Sequence, residues 1–91
     1  MSPLAAALAA LAMVVPSAAA AQQAPTAYEF GVAARQAGDP AEAKRLLQAW
    51  LAEHPEDVDA RLQLAYAELA LGNRTAARAG FEEVLRRAPD Y

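Results

Sequence analysis

The chain has 91 residues, a formal charge of −3, no cysteine and a single histidine, His54. These exclude a disulfide framework and a cysteine–histidine metal cluster. Acidic and basic residues are interspersed, with no basic run longer than Lys44-Arg45 or Arg86-Arg87, which excludes the clustered positive face of a nucleic-acid binder.

Met1 to Ala21 reads as a secretory signal peptide, with an apolar run from Leu4 to Val15, a break at Pro16 and then Ser17-Ala18-Ala19-Ala20-Ala21. The run fits a signal core and falls short of the roughly 20 residues that span a bilayer. Cleavage after Ala20 and cleavage after Ala21 both satisfy the small-x-small rule. Ser2, Pro3 and Leu4 carry no basic charge, so either the N-terminal amine supplies it or translation starts upstream. The expected location is therefore the periplasm or the periplasmic side of the outer membrane, with no integral membrane span in the mature chain. About 70 residues then remain to fold, and at about 1.5 kcal/mol of ordering entropy per residue such a core is close to break-even without a neighbour.

Residues 22–25 form a polar linker, and the folded domain is expected over 26–91. Thr26-Ala27-Tyr28-Glu29 has the capping-box pattern, which predicts a first helix to about Ala37, stopped by Gly38. Asp39-Pro40-Ala41-Glu42 opens a second, with an N-cap, a proline at the first helical position and an acid in the first turn. Ala43, Leu46, Leu47, Trp50 and Leu51 make its apolar stripe. After Pro55, Asp57 is the expected cap of a third helix from about Val58 to Leu71. Its apolar residues go much of the way round, which suits an element flanked on two sides. Gly72 ends it, Asn73 is the expected cap of a fourth helix, and Ala77, Phe81, Val84, Leu85 and Ala88 are its expected buried face.

Gly38 to Pro55 recurs as Gly72 to Pro89 with an offset of 34 residues: Gly38 with Gly72, Ala43 with Ala77, Leu47 with Phe81, Leu51 with Leu85, Pro55 with Pro89. A fixed period of this size signals stacked repeats. The fold class is all-α, two tandem 34-residue helix-turn-helix units over 24–57 and 58–91. This pattern resembles the tetratricopeptide repeat family. The family's small residue midway along the first helix matches Gly31 and Ala65, its small residue early in the second helix matches Ala43 and Ala77, its large apolar residue one turn later matches Leu47 and Phe81, and its closing proline matches Pro55 and Pro89. Departures are also present. Ala27 and Arg61 stand where a large aromatic is frequent, Ala34 and Glu68 replace a later aromatic, and Trp50 occupies a small-residue position, where its expected role is packing on the following helix.

The resemblance implies a right-handed superhelix whose concave surface, lined by the first helix of each pair, takes extended peptides or partner helices. The implied lining residues are Tyr28, Val32, Arg35 and Gln36 from the first unit and Leu62, Tyr66, Leu69 and Ala70 from the second. The carboxylate clamp of one subfamily is not expected, because its matching positions hold Tyr28 and Val32. Two units fall short of the roughly three that such arrays need, so the expectation is a longer reading frame or self-association. Signal, repeats and order of parts also resemble the periplasmic front end of outer-membrane polysaccharide-export proteins, in which a β-barrel follows.

Catalysis is not expected, and neither is a cofactor or a metal. His54 falls at a helix end, where solvent and the helix dipole explain it without a general-base role, and Glu82-Glu83 are neighbours that point apart on a helix. The expected partner is a protein or peptide, and the expected role is an exported interaction scaffold in an envelope assembly or secretion system.

Overall fold

The computed structural model describes residues 24–91; the expected signal segment and residues 22 and 23 of the linker lie outside the described residues. Four helices follow one another: α1 (Ala27–Gln36), α2 (Pro40–Glu53), α3 (Val58–Ala70) and α4 (Arg74–Arg87), and no strand occurs among the described residues. The all-helical, two-unit architecture expected from the 34-residue period is the one observed.

Local chemistry sets the helix boundaries. Thr26 Oγ1 accepts from the Glu29 amide at 3.2 Å, Asp39 Oδ1 from the Glu42 amide at 3.2 Å and Asp57 Oδ1 from the Ala60 amide at 3.0 Å, so three of the four helices start on a side-chain cap. Asn73 departs from expectation. It occupies the N-cap of α4 but makes no cap bond, because its side-chain amide donates to Glu68 Oε1 at 3.3 Å. At the other ends, α1 and α3 close with the same motif. Gly38 and Gly72 both sit at φ 83°. Asp39 N donates to Ala34 O and Asn73 N to Glu68 O, each at 2.9 Å. Gly38 N to Arg35 O and Gly72 N to Leu69 O complete two Schellman motifs, which require the left-handed conformation that glycine adopts at least cost.

Connections of three or four residues between helices force each to pack antiparallel on the next. The α1/α2 and α3/α4 pairs form the two units, and α2 against α3 forms the joint between them. In addition α1 touches α3, whereas α2 makes no such contact with α4. The α1/α3 row is thus the closer-spaced, concave side of a curved stack, and α2 and α4 form the convex side.

The core centres on the joint. Ala43, Leu47, Ala60 and Ala67 are fully buried, with Tyr28, Ala34, Trp50, Leu51 and Leu64 packed round them. Leu47 is the largest side chain with no exposure. Small residues let the helices approach. A Cβ on Gly31 would lie 2.8 Å from Leu47 Cγ, and a Cβ on Gly80 would lie 3.0 Å from the Ala65 Cβ. Each unit therefore carries one glycine at its helix crossing, on the first helix in unit one and on the second in unit two, where Ala65 fills the space that Gly31 leaves.

The expected buried face of α4 is only partly buried. Ala77 and Val84 are buried, at 2% and 3% exposure, but Leu85 is 57% exposed. Its register mate Leu51 packs beside the joint with α3, and no described element covers the corresponding face of α4. Phe30, 54% exposed, repeats this relation at the opposite face, since its mate Leu64 packs on the core.

Candidate interaction groove

The concave wall is built from the inward stripes of α1 and α3. Helical periodicity places Tyr28, Val32 and Arg35 on one face of α1, with Gln36 beside Arg35, and Leu62, Tyr66 and Leu69 on one face of α3, with Ala70 beside Leu69. Tyr28, Val32, Arg35 and Leu62 are half-buried, while Gln36 and Ala70 are exposed at the C-terminal ends of their helices. Tyr66 and Leu69 retain 44% and 49% of their surface, an uncovered apolar and aromatic strip.

Among these residues, side-chain contact joins Arg35 to Tyr66. The Arg35 guanidinium carbon stands 5.5 Å from the centre of the Tyr66 ring, within cation–π range. Arg35 Nε also donates to Gln63 Oε1 at 2.7 Å, so the guanidinium is held from two sides. The Tyr66 ring meets Phe81 of α4 edge-on at 5.2 Å, a geometry that aromatic quadrupoles favour and that fixes the Tyr66 ring within the second unit.

At the N-terminal ends of the same helices the groove is acidic. Asp59 of α3 accepts from the Tyr91 hydroxyl, and Tyr28 lies nearby, its ring 6.3 Å from that of Trp50. Burial pushes the Tyr28 hydroxyl above its ordinary value, and the charges of Asp59 and Asp57 add to the rise against an opposing effect of Arg35. The bond to Asp59 pushes the Tyr91 hydroxyl up to about 12.

Trp50 ties this end together. Its indole N–H donates to Asp57 Oδ2 at 2.7 Å, and its ring stacks on His54 at 3.8 Å. The same Asp57 carboxylate caps α3 with its other oxygen. Trp50 thus packs on the start of the following helix, and His54, at the C-cap of α2, covers the indole face.

Gln63, Asp57, Asp59, Phe81 and Tyr91 were not among the residues assigned to the groove from sequence. Gln63 was legible in principle, since it lies three residues before Tyr66 and in register with Glu29 on α1. Tyr91 was not, because its contact with Asp59 spans 32 residues.

A separate cleft of about 730 Å³ opens on the convex side, lined by Lys44, Glu68, Asn73, Arg74 and Thr75. Lys44 Nζ and Glu68 Oε1 meet there at 3.0 Å across the joint between the units. No buried side-chain polar atom among the described residues lacks a partner. Among those residues no helix is long and apolar enough to cross a membrane.

A family model described as tetratricopeptide repeat matches residues 34–91. No curated protein and no solved structure matches the chain. The family match covers more than half of the sequence and takes in α2, α3 and α4 with the joint between the units, so the chain belongs to the tetratricopeptide repeat family, whose repeats mediate protein–protein interactions.

Proposed function

We propose that the α1/α3 wall is the working surface of an exported interaction scaffold, which holds a segment of a partner protein in the periplasm as part of an envelope assembly or secretion machine. The observation that carries the binding site is the uncovered strip of Tyr66 and Leu69, with half-buried Leu62 one turn before it, beside the pinned Arg35. Burying such a strip is worth about 25 cal/mol per Å² of apolar surface, and a Tyr supplies both ring and hydroxyl at small entropic cost. The scaffold acts by binding and not by catalysis, as repeats of this family typically do. Export rests on the apolar run Leu4 to Val15 and the small residues after it.

Two experiments test the reading. Replacing Leu62 and Tyr66 together with glutamate should abolish capture of the partner while the far-ultraviolet circular dichroism stays helical; undiminished capture moves the site off this wall. For export, the intact mass of the native protein in the envelope fraction should reveal loss of the first 20 or 21 residues, leaving about 7 kDa for this stretch of chain. Retention of Met1 to Ala21 contradicts it.

A further inference from the structure

All ion pairs among the described residues lie on, or against, the convex helices: Lys44 with Glu68, Arg45 with Glu42, and Glu83 with both Arg86 and Arg87. The charges that border the groove enter none of them. Arg35 gives its Nε to a neutral amide and its face to an aromatic ring. Asp57 takes the Trp50 indole and a backbone amide, and Asp59 takes the Tyr91 hydroxyl. All of these partners are neutral, so no ion pair among the described residues offsets either carboxylate or the guanidinium. Arg61, the nearest cation in sequence to the two aspartates, is turned onto the Pro55 carbonyl at 2.8 Å.

The groove is therefore polarised along its own helices. Tyr28 to Arg35 on α1 and Asp59 to Tyr66 on α3 are each seven residues, about 10 Å of helix. Negative charge lies at the N-terminal end and positive charge at the C-terminal end, with the apolar strip between and beside them. An extended chain advances about 3.3 Å per residue, so a segment with opposite charges roughly three residues apart matches both ends at once.

We propose that the groove selects an extended peptide segment with an acidic side chain at Arg35 and a basic side chain at the Asp57–Asp59 rim, its apolar residues lying on Leu62, Tyr66 and Leu69. This rests on the groove being the binding surface and adds the class and orientation of its ligand. The pinned guanidinium is suited to the acidic contact, because Gln63 and Tyr66 already hold it in place and its terminal nitrogens make no hydrogen bond with the described residues, leaving N–H donors for a carboxylate. Like charge at either end rejects the wrong segment, which is how charged groups contribute specificity more than affinity.

The test uses four fluorescent nine-residue peptides sharing the same apolar residues, with two positions three residues apart carrying charges that are mixed, all acidic, all basic or absent, titrated by anisotropy against the chain and its variants. Wild type should favour the mixed peptide over either single-sign peptide by about fivefold at low salt, the scale of partly exposed charge pairs, and the margin should shrink in 0.5 M salt. Arg35→Glu should move the preference to the all-basic peptide, Asp59→Lys to the all-acidic one, and the double variant should restore the mixed peptide in reversed orientation. Arg35→Gln and Asp59→Asn, which flatten the preference without reversing it, serve if a charge reversal unfolds the chain. If all four peptides bind alike, and Tyr66→Glu weakens them equally, the polarity is refuted and the groove stands. If none binds, or if Tyr66→Glu changes nothing, both are refuted.

Discussion

The joint between the two units carries a charge where the repeat pattern would place an aromatic, and its energetics can be worked out from the contacts. Glu68 is 8% exposed and meets Lys44 at 3.0 Å, with the two side chains retaining 11% and 32% of their surface. At that separation the Coulomb attraction is about 5.5 kcal/mol at an effective dielectric of 20 and about 1.4 kcal/mol at 80. Desolvation opposes it, chiefly at Glu68, since Lys44 keeps access to water. Lys44→Met leaves Glu68 in the joint with only the Asn73 amide and should cost about 2 kcal/mol. Glu68→Leu leaves a lysine that can turn to solvent, and should cost about 1 kcal/mol. The double variant replaces both charges with apolar surface and should return to within about 1 kcal/mol of wild type, a coupling of about 2 kcal/mol. Urea unfolding followed by far-ultraviolet circular dichroism and by fluorescence of Trp50, the single tryptophan of the chain, measures the cycle. Additive single costs, with coupling below about 0.3 kcal/mol, would show that Glu68 is held by Asn73 and not by Lys44, and the reasoning would fail.

Other expectations follow from particular contacts. Gly31→Ala should destabilise by about 1 to 2 kcal/mol, because the new methyl meets the fully buried Leu47 at 2.8 Å and the overpacking outweighs the gain in helix propensity; Gly80→Ala, whose methyl has one tight contact, the Ala65 Cβ at 3.0 Å, with the Ala65 Cα and Arg61 O at 3.6 and 4.0 Å, should cost less in the same urea titration. The Tyr91 hydroxyl should ionise near 12 by absorbance and fall back toward 10 in Asp59→Asn. Its folded value is raised, so its contribution to stability is complete below pH 10 and is lost as pH rises through about 12. Glu83, held to about 2 by Arg86 and Arg87, has the opposite sign: its contribution is present above the ordinary carboxylate value of 4.5 and is lost as pH falls through about 2. Carboxyl-detected NMR titration of Glu83 that gives a midpoint near 4.5 would contradict the pairing.

Much of the fold is legible in the sequence because its determinants are local or strictly periodic. Gly38 and Gly72 mark helix ends through a backbone conformation that few other residues take, and Thr26, Asp39 and Asp57 mark helix starts through a side chain of the right length at the right place. The same period lines Tyr28, Val32 and Arg35 along one face of α1 and Leu62, Tyr66 and Leu69 along one face of α3, and the contact of Arg35 with Tyr66 joins the two. What resists reading is what one helix does to another. Glu68 lies in a run of alanines and a leucine with nothing nearby to announce a partner, and Lys44 is on a different helix of the other unit. Asn73 has the chemistry of a cap but is drawn to Glu68. Gly80 has no counterpart in unit one, where Leu46 occupies its place, and only the approach of Ala65 explains it. Leu85 shares the pattern of Leu51, but a pattern cannot tell whether a neighbouring helix covers the residue.

The central claim is that the α1/α3 wall binds a partner segment, and it is tested most directly by mapping a bound peptide. Peptides selected from a random library on the full chain should be titrated into isotopically labelled protein. The largest NMR shift changes should fall at Tyr28, Arg35, Leu62, Tyr66 and Leu69, with Gln48, Arg78 and Glu82 of the convex helices left unmoved. Changes concentrated on α2 and α4, with Tyr66 and Leu69 silent, would contradict the claim.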